Sequence, residues 1–124
     1  MTPKVWYKQG DTLANLGRYE EALVSFDQAL AVQPDDHAAW VFRGVVLIHL
    51  GRYSEALISC EKALKIHPND KQAWIFRGAA LHYLGQYKKA YASYDSALGI
   101  QRESGWQKML QILNEFKLVD NAHD

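Results

Sequence analysis

Two consecutive stretches of the sequence decide the fold. Residues 37–70 read HAAWVFRGVVLIHLGRYSEALISCEKALKIHPND, and residues 71–104 read KQAWIFRGAALHYLGQYKKAYASYDSALGIQRES. Aligned without a gap, both show the same order of tryptophan, arginine–glycine, leucine–glycine, tyrosine and alanine. Residues 3–36 give the order a third time, from Trp6 to Pro34, with Gln9 in place of the arginine. A period of 34 residues that occurs three times predicts a tandem array of one structural unit.

The residue pattern within each unit predicts a pair of helices. Tryptophan, glycine and leucine at offsets 0, 4 and 7 share one face of the first helix. Gly17, Gly51 and Gly85 predict its end, because glycine adopts the left-handed conformation at little cost. Pro34 and Pro68 stop the second helix. The helices expected after the first span residues 20–32, 37–50, 54–66, 71–84 and 88–100.

A second set of glycines falls inside the first helices, at Gly10, Gly44 and Gly78. Each costs about 1 kcal/mol relative to alanine in a helix interior. Their common offset suggests that the backbone of a neighbouring helix passes close to each of them.

The predicted fold class is all-α, a solenoid of antiparallel helix hairpins with about seven helices, because such hairpins bury their apolar faces only by stacking. One domain is expected, with repeats at residues 3–36, 37–70 and 71–104. A capping helix is expected at 105–119 and a frayed tail at 120–124. The capping helix rests on apolar residues at helical spacing: Trp106, Met109, Leu110, Leu113 and Phe116. The alternative is a helix that detaches to dock in a groove, its own or a partner's.

With tryptophan, glycine, tyrosine, alanine, an aromatic residue (Phe26, Tyr94) and proline in this order, residues 3–104 resemble the tetratricopeptide repeat (TPR) family. The resemblance implies a right-handed superhelical stack whose first helices line a concave groove, and a role in binding other proteins. The motif consists of packing positions, so it specifies the fold more than the partner.

The groove residues are expected at offsets that vary between the repeats, since identical offsets serve the shared packing. The resemblance implies that offsets 1, 5, 8 and 9 after each tryptophan, and the position two before it, contact ligands. These offsets include Lys4, Ala14 and Ala38. The candidate groove residues chosen from them are Tyr7, Asp11, Asn15, Val41, Val45, Ile48, His49, Gln72, Ile75, Ala79, His82 and Tyr83.

This groove is apolar in the middle repeat, and an exposed apolar patch is typical of an interaction site. The sequence therefore predicts a scaffold or adaptor that binds an extended peptide or an amphipathic helix with apolar side chains. The alternative is a self-association module, a homo-oligomer that buries the same groove or the C-terminal helix.

Some members of the family bind the acidic C-terminal tail of chaperones with basic residues at set groove positions. That partner is not expected for this chain, because none of the matching residues is basic. They are Tyr7, Asp11, Phe42, Gln72 and Phe76.

The charge balance argues against nucleic acid and membrane partners, because Lys plus Arg and Asp plus Glu number 14 each. The longest aliphatic run, residues 45–48, is far too short to span a bilayer. Cys60 is the single cysteine and has no partner for an internal disulfide, which favours the cytoplasm. We expect Cys60 to be a small buried filler where the other repeats have aromatic rings, the alternative being a reactive thiol.

No motif for catalysis, a cofactor or a metal is present. The histidines form no i,i+4 pair and have no cysteine partner at ligand spacing; they are His37, His49, His67, His82 and His123. Arg43 and Arg77 recur at one offset, which indicates surface arginines packed on an aromatic neighbour or, alternatively, an anion site. We predict no enzymatic activity and no cofactor.

Overall fold

The computed structural model of the protein describes residues 3–99 and 112–115. The first range forms six helices: α1 (Pro3–Asn15), α2 (Tyr19–Val32), α3 (His37–His49), α4 (Tyr53–Ile66), α5 (Lys71–Tyr83) and α6 (Tyr87–Ala97). Residues 112–115 are helical as well, and the described ranges contain no strand. The all-α prediction is confirmed. The rest of the expected capping helix 105–119, and the tail 120–124, lie outside the described residues.

The helices pack as three hairpins, α1 with α2, α3 with α4, and α5 with α6. Between hairpins, α2 contacts α3 and α4 contacts α5, while α1, α3 and α5 also contact one another in sequence order. Within residues 3–99 the second helices α2, α4 and α6 do not contact each other. The stack therefore curves with α1, α3 and α5 on its inner side, as in the predicted solenoid. No helix in the described part of the chain has the length and apolar character that a membrane span requires.

Glycine ends the first helix of every hairpin, as predicted. Gly17, Gly51 and Gly85 have φ of 76°, 73° and 79°. In the middle hairpin the Arg52 N–H donates to the Leu47 carbonyl at 2.8 Å and closes the turn. The left-handed conformation lets the last carbonyls of the helix find donors before the chain reverses.

The expected end of α6 is wrong by three residues. The sequence predicted a helix to residue 100, whereas α6 ends at Ala97 and has 11 residues, against 14 in α2 and α4. Gly99 causes the difference, because its φ of 65° is not helical. The earlier repeats have Ala31 and Lys65 at this position.

The turns between hairpins explain why tryptophan and proline recur together. The Trp40 indole N–H donates to the Pro34 carbonyl at 2.8 Å, and Trp74 donates to Pro68 at the same distance. Each turn thus satisfies a backbone acceptor with a side chain of the next helix. Asp36 also caps α3, accepting from the Ala39 N–H at 3.2 Å.

The glycines inside the first helices make room for side chains of the second helices. A Cβ at Gly10 would lie 2.9 Å from Cζ of Phe26, and one at Gly78 would lie 2.5 Å from Cε1 of Tyr94. In these two hairpins the atoms nearest to the glycine are ring atoms of a side chain, where the sequence suggested backbone. In the middle hairpin a Cβ at Gly44 would lie 2.7 Å from Sγ of Cys60 and 3.4 Å from the carbonyl of Ala56.

Cys60 is the buried filler that the sequence predicted. Its side chain is fully buried. Burial raises the pKa of the thiol from 9.0 to about 12, so that the reactive thiolate is disfavoured. The charge of Arg77 acts in the opposite direction, but burial outweighs it, so the sulfur is not activated.

The two repeated arginines join neighbouring hairpins. Nε of Arg43 lies 2.6 Å from Oδ1 of Asp27, and Nε of Arg77 lies 3.5 Å from Oε1 of Glu61. Arg77 also donates to the Ser93 hydroxyl at 2.5 Å. Each guanidinium stands 5.7 Å from the ring centroid of the tryptophan three residues before it. These contacts favour the packing interpretation over an anion site.

We predict that Gly44→Ala destabilises the protein by about 1 kcal/mol, because crowding against Cys60 outweighs the gain in helix propensity. In a Cys60→Ala background the same substitution should be neutral or stabilising, since the sulfur is gone. Urea unfolding of the four proteins of this cycle measures the coupling. If Gly44→Ala lowered the unfolding free energy equally in both backgrounds, the Cys60 sulfur would not be the reason for glycine at position 44.

We also predict that a thiol reagent leaves Cys60 unmodified in the folded protein and modifies it after unfolding in guanidinium. The raised pKa adds a pH dependence. The unfolded thiol ionises above about pH 9 and the folded one only near 12, so its contribution to stability is complete below pH 9 and is lost as the pH rises towards 12. Unfolding free energies of the wild type and Cys60→Ala should diverge above pH 9, with the wild type falling faster. Parallel curves would contradict this prediction.

Candidate functional site

All twelve candidate groove residues lie on α1, α3 and α5, the helices on the inner side of the stack. We call this set the inner wall. Three of them are on α1, four on α3 and five on α5. The repeat offsets thus bring together residues from three separate segments of the chain.

The members of the inner wall differ in how far a ligand can reach them. Six are exposed: Asn15, His49, Gln72, Ile75, His82 and Tyr83. Five are half-buried: Tyr7, Asp11, Val45, Ile48 and Ala79. Val41 is buried, with 1% of its surface exposed, so its assignment to a ligand-contacting position is wrong.

Val41 is buried between α4 of its own hairpin and α5 of the next one. It packs in a core cluster with Ala63, Leu64 and Ala73, against which Trp74 also lies. Ile75 occupies the equivalent position one repeat later and is 43% exposed. The same offset therefore serves packing in the second hairpin and remains open in the third.

The floor of the inner wall is an apolar strip formed by Val45 and Ile48 of α3 and by Ile75 and Ala79 of α5. These two helices contact each other, so the strip crosses from one hairpin to the next. Ile48 also packs against the buried cluster that contains Val46. A rigid apolar floor of this kind can receive the apolar side chains of a bound segment.

Tyr7 borders the strip on the α1 side and is held by two phenylalanine rings. Its ring meets Phe42 edge-on at 5.5 Å and Phe26 edge-on at 5.9 Å, measured between centroids. Burial raises the pKa of the Tyr7 phenol, and the carboxylates of Asp11 and Asp36 raise it further. The phenol therefore stays protonated and is able to donate a hydrogen bond.

Stacked rings form one rim of the inner wall. His49 stacks on Tyr19 with 4.6 Å between centroids and 2° between planes, and Tyr83 stacks on Tyr53 at 4.6 Å and 8°. In both pairs a tyrosine of one hairpin holds a ring of the next hairpin. One face of His49 and of Tyr83 is therefore occupied by the protein itself.

Sequence reasoning found His49 and Tyr83 but not their stacking partners. Tyr19, Tyr53 and Tyr87 share an offset of 13 from the tryptophan, which marked them as packing residues only. Tyr87 meets His82 edge-on at 5.1 Å and 66° instead of stacking. The sequence does contain a signal for these pairs. Tyr19 is followed thirty residues later by the imidazole of His49, and Tyr53 is followed thirty residues later by the ring of Tyr83.

The described ranges hold no group of three histidine, cysteine, aspartate or glutamate side chains that is arranged to bind a metal ion. His37 contacts a carboxylate instead, with Nδ1 2.9 Å from Oδ2 of Asp70, and its ring stacks on His67 at 4.7 Å. This cluster ties the start of α3 to the cap of α5. It lies outside the inner wall.

Comparison with known sequences now identifies the architecture. A tetratricopeptide repeat model matches residues 7–71, and a second tetratricopeptide repeat model matches residues 71–104. The chain belongs to the tetratricopeptide repeat family. It is thus a protein–protein interaction module. No curated protein matches the sequence.

Solved TPR structures share the fold. The second TPR of Spaghetti (RPAP3), bound to the HSP90 peptide SRMEEVD, has a TM-score of 0.78 at 20% identity, over 82% of this chain and 94% of that one. The Arabidopsis OM64 TPR domain has a TM-score of 0.79 at 21% identity, over 89% and 91%. MamA has a TM-score of 0.75 at 21% identity, over 79% of this chain and 57% of that one. At these identities the likeness concerns the fold alone.

The difference between Val41 and Ile75 predicts different effects of one substitution at equivalent positions. Val41→Asp places a charge in the core and should destabilise the protein by about 3 kcal/mol or more. Ile75→Asp should cost about 1 kcal/mol or less, because Ile75 borders solvent. Thermal melts followed by circular dichroism measure both. Equal losses would show that the two positions are packed alike.

Proposed function

We propose that this TPR module binds an extended peptide or an amphipathic helix through apolar side chains that dock on the inner wall. The observation that carries the proposal is the strip of Val45, Ile48, Ile75 and Ala79. Its members lie on α3 and α5, two helices that contact each other, and its most exposed member, Ile75, is 43% exposed. Binding there removes apolar surface from water, which is the usual source of affinity in helix and peptide grooves.

The rim supports the same proposal. The rings of His49 and Tyr83 are stacked on tyrosines of the preceding hairpin, and so they offer fixed edges to a ligand. A side chain that is already ordered loses little conformational entropy when a partner binds. The inner wall thus combines an apolar floor with a rim of ordered rings.

The partner that we propose differs from the one seen in the related structure. The second TPR of Spaghetti (RPAP3) is bound to an HSP90 peptide with two glutamates and an aspartate near its end. In this chain the groove positions that the family uses for an acidic tail carry no basic residue. Asp11, at one of them, would repel a carboxylate. An apolar segment is therefore the partner proposed, and an acidic tail is not.

The remaining functional assignments belong to this proposal. The module acts by binding, without catalysis, cofactor, nucleic acid or membrane contact. The even charge balance of 14 cationic and 14 anionic residues supports the absence of a nucleic-acid role. Cys60, buried and unpaired, is compatible with a reducing compartment such as the cytoplasm.

A second candidate function, self-association, is favoured by the third hairpin. Leu98 is 67% exposed, whereas Leu64, its equivalent in the second hairpin, is 9% exposed. Tyr87 and Tyr91 are also exposed, whereas their equivalents Tyr53 and Leu57 are half-buried. A second copy of the chain is one occupant that would cover this face.

Selection from a phage-displayed peptide library tests the first function. We expect wild-type protein to enrich peptides rich in aliphatic and aromatic residues. Synthetic versions should bind at least tenfold more weakly to Ile75→Asp, because a carboxylate replaces part of the apolar floor. The peptide SRMEEVD, bound by the related TPR, should not bind. Fluorescence anisotropy measures these affinities.

Ile58→Asp is the matched control, because Ile58 is 54% exposed on α4 and lies outside the inner wall. It should leave peptide binding unchanged. Failure to enrich any apolar peptide, or equal loss of binding in the control, would overturn the proposal. Sedimentation velocity over a dilution series decides the second candidate: a monomer at micromolar concentration removes it.

A further inference from the structure

One member of the inner wall does not fit an apolar ligand. Of its twelve residues, Asp11 alone carries a formal charge at neutral pH if histidine is neutral. The equivalent residues on α3 and α5 are Val45 and Ala79, which form part of the apolar strip. A carboxylate therefore stands where the other two hairpins present aliphatic side chains.

The carboxylate has no partner within the part of the chain that the structure describes. Asp11 is half-buried on α1, and none of the ion pairs within 4.0 Å among residues 3–99 involves it. Lys4 and Lys8 lie on the same helix but are exposed and do not reach it. Some other carboxylates are paired, for example Asp27 with Arg43 and Glu21 with Arg18.

The charge of Asp11 affects another residue of the inner wall, Tyr7. After burial, Asp11 is the largest contributor to the raised pKa of the Tyr7 phenol, and Asp36 at the start of α3 adds to it. Tyr7 is itself a member of the inner wall, fixed against Phe42. A carboxylate of the inner wall thus lies close enough to the protonated phenol of Tyr7 to act on it electrostatically.

A ligand that covers this region meets a physical constraint. A neutral apolar segment would remove water from the Asp11 carboxylate without offering a hydrogen bond or an ion pair, which is unfavourable for a half-buried carboxylate. A lysine or arginine side chain removes that penalty. Its aliphatic stem lies on apolar surface while its cationic end pairs with the carboxylate.

We propose that Asp11 selects the partner: the bound segment carries a lysine or arginine beside its apolar residues, and that cationic side chain pairs with Asp11. The inference rests on the proposed function and narrows the class of ligand from apolar to apolar and cationic. Asp11 acts as a specificity residue, and the apolar strip supplies the affinity. The negative charge of Asp11 is opposite in sign to the positive charge that would bind an acidic tail.

The same phage selection supplies the probes. We expect the peptides enriched by wild-type protein to contain more lysine and arginine than aspartate and glutamate, and those enriched by Asp11→Lys to show the reverse. One enriched peptide is then synthesised, acetylated and amidated, in three versions with lysine, glutamine or glutamate at the cationic position. Fluorescence anisotropy measures each version on each protein.

On wild-type protein the lysine version should bind about five- to tenfold more tightly than the glutamine version, and the glutamate version more weakly still. Asp11→Asn should abolish the difference between lysine and glutamine, and Asp11→Lys should make the glutamate version the tightest. The preference of the wild type should shrink as salt is raised, because charge pairs are screened and apolar contacts are not.

Asp35→Lys is the matched control. It makes the same charge change at an exposed position in the turn between α2 and α3, outside the inner wall, and should leave the order of the three peptides unchanged. Circular dichroism melts of all variants show whether the fold is kept. Asp11→Asn nearly preserves side-chain volume, so it retains the test if Asp11→Lys fails to fold.

The outcomes separate this inference from the function on which it rests. Apolar peptides that bind without any preference among the three versions would overturn the role of Asp11 and leave the proposed function standing. The role of Asp11 would also be overturned if Asp11→Asn kept the preference for lysine, or if Asp35→Lys changed that preference as much as Asp11→Lys does. A library that yields no apolar binder overturns both.

Discussion

The close approach of the two helices within each hairpin is the constraint on which the rest of the structure depends. Glycine inside the first helix leaves space that one side chain of the second helix fills: Phe26 against Gly10, Cys60 against Gly44 and Tyr94 against Gly78. With the hairpins fixed in this way, the turns help to set how they stack, because the indoles of Trp40 and Trp74 donate to proline carbonyls. The inner wall is a product of this packing, since the stack brings residues of α1, α3 and α5 to its inner side and leaves six of the twelve exposed.

Much of the fold was predictable because the sequence contains three copies of the same unit, so that the residues important for packing recur at the same offsets. The glycine turns, the paired helices and the stack all follow from residues that recur at one offset, and the structure confirms them. The end of α6 was missed because Gly99 has no counterpart in the other repeats. A prediction based on recurrence has no information about a residue that occurs once.

The candidate site was less predictable, and Val41 shows why. Periodicity assigns each residue to a face of its helix, but exposure depends on what the next hairpin places on that face. Val41 is covered by the helix that carries Trp74, whereas the equivalent Ile75 is not covered within the described ranges. The stacked pairs of the rim were missed for a similar reason, because each joins two residues whose separation differs from the repeat period.

The stacked pairs have a mechanical consequence. Tyr19 holds His49 and Tyr53 holds Tyr83, so two successive junctions are bridged by flat rings in contact. To straighten or tighten the superhelix, these rings would have to slide across each other or separate. A change in the curvature of the solenoid would therefore require a loss or shift of ring overlap at its rim.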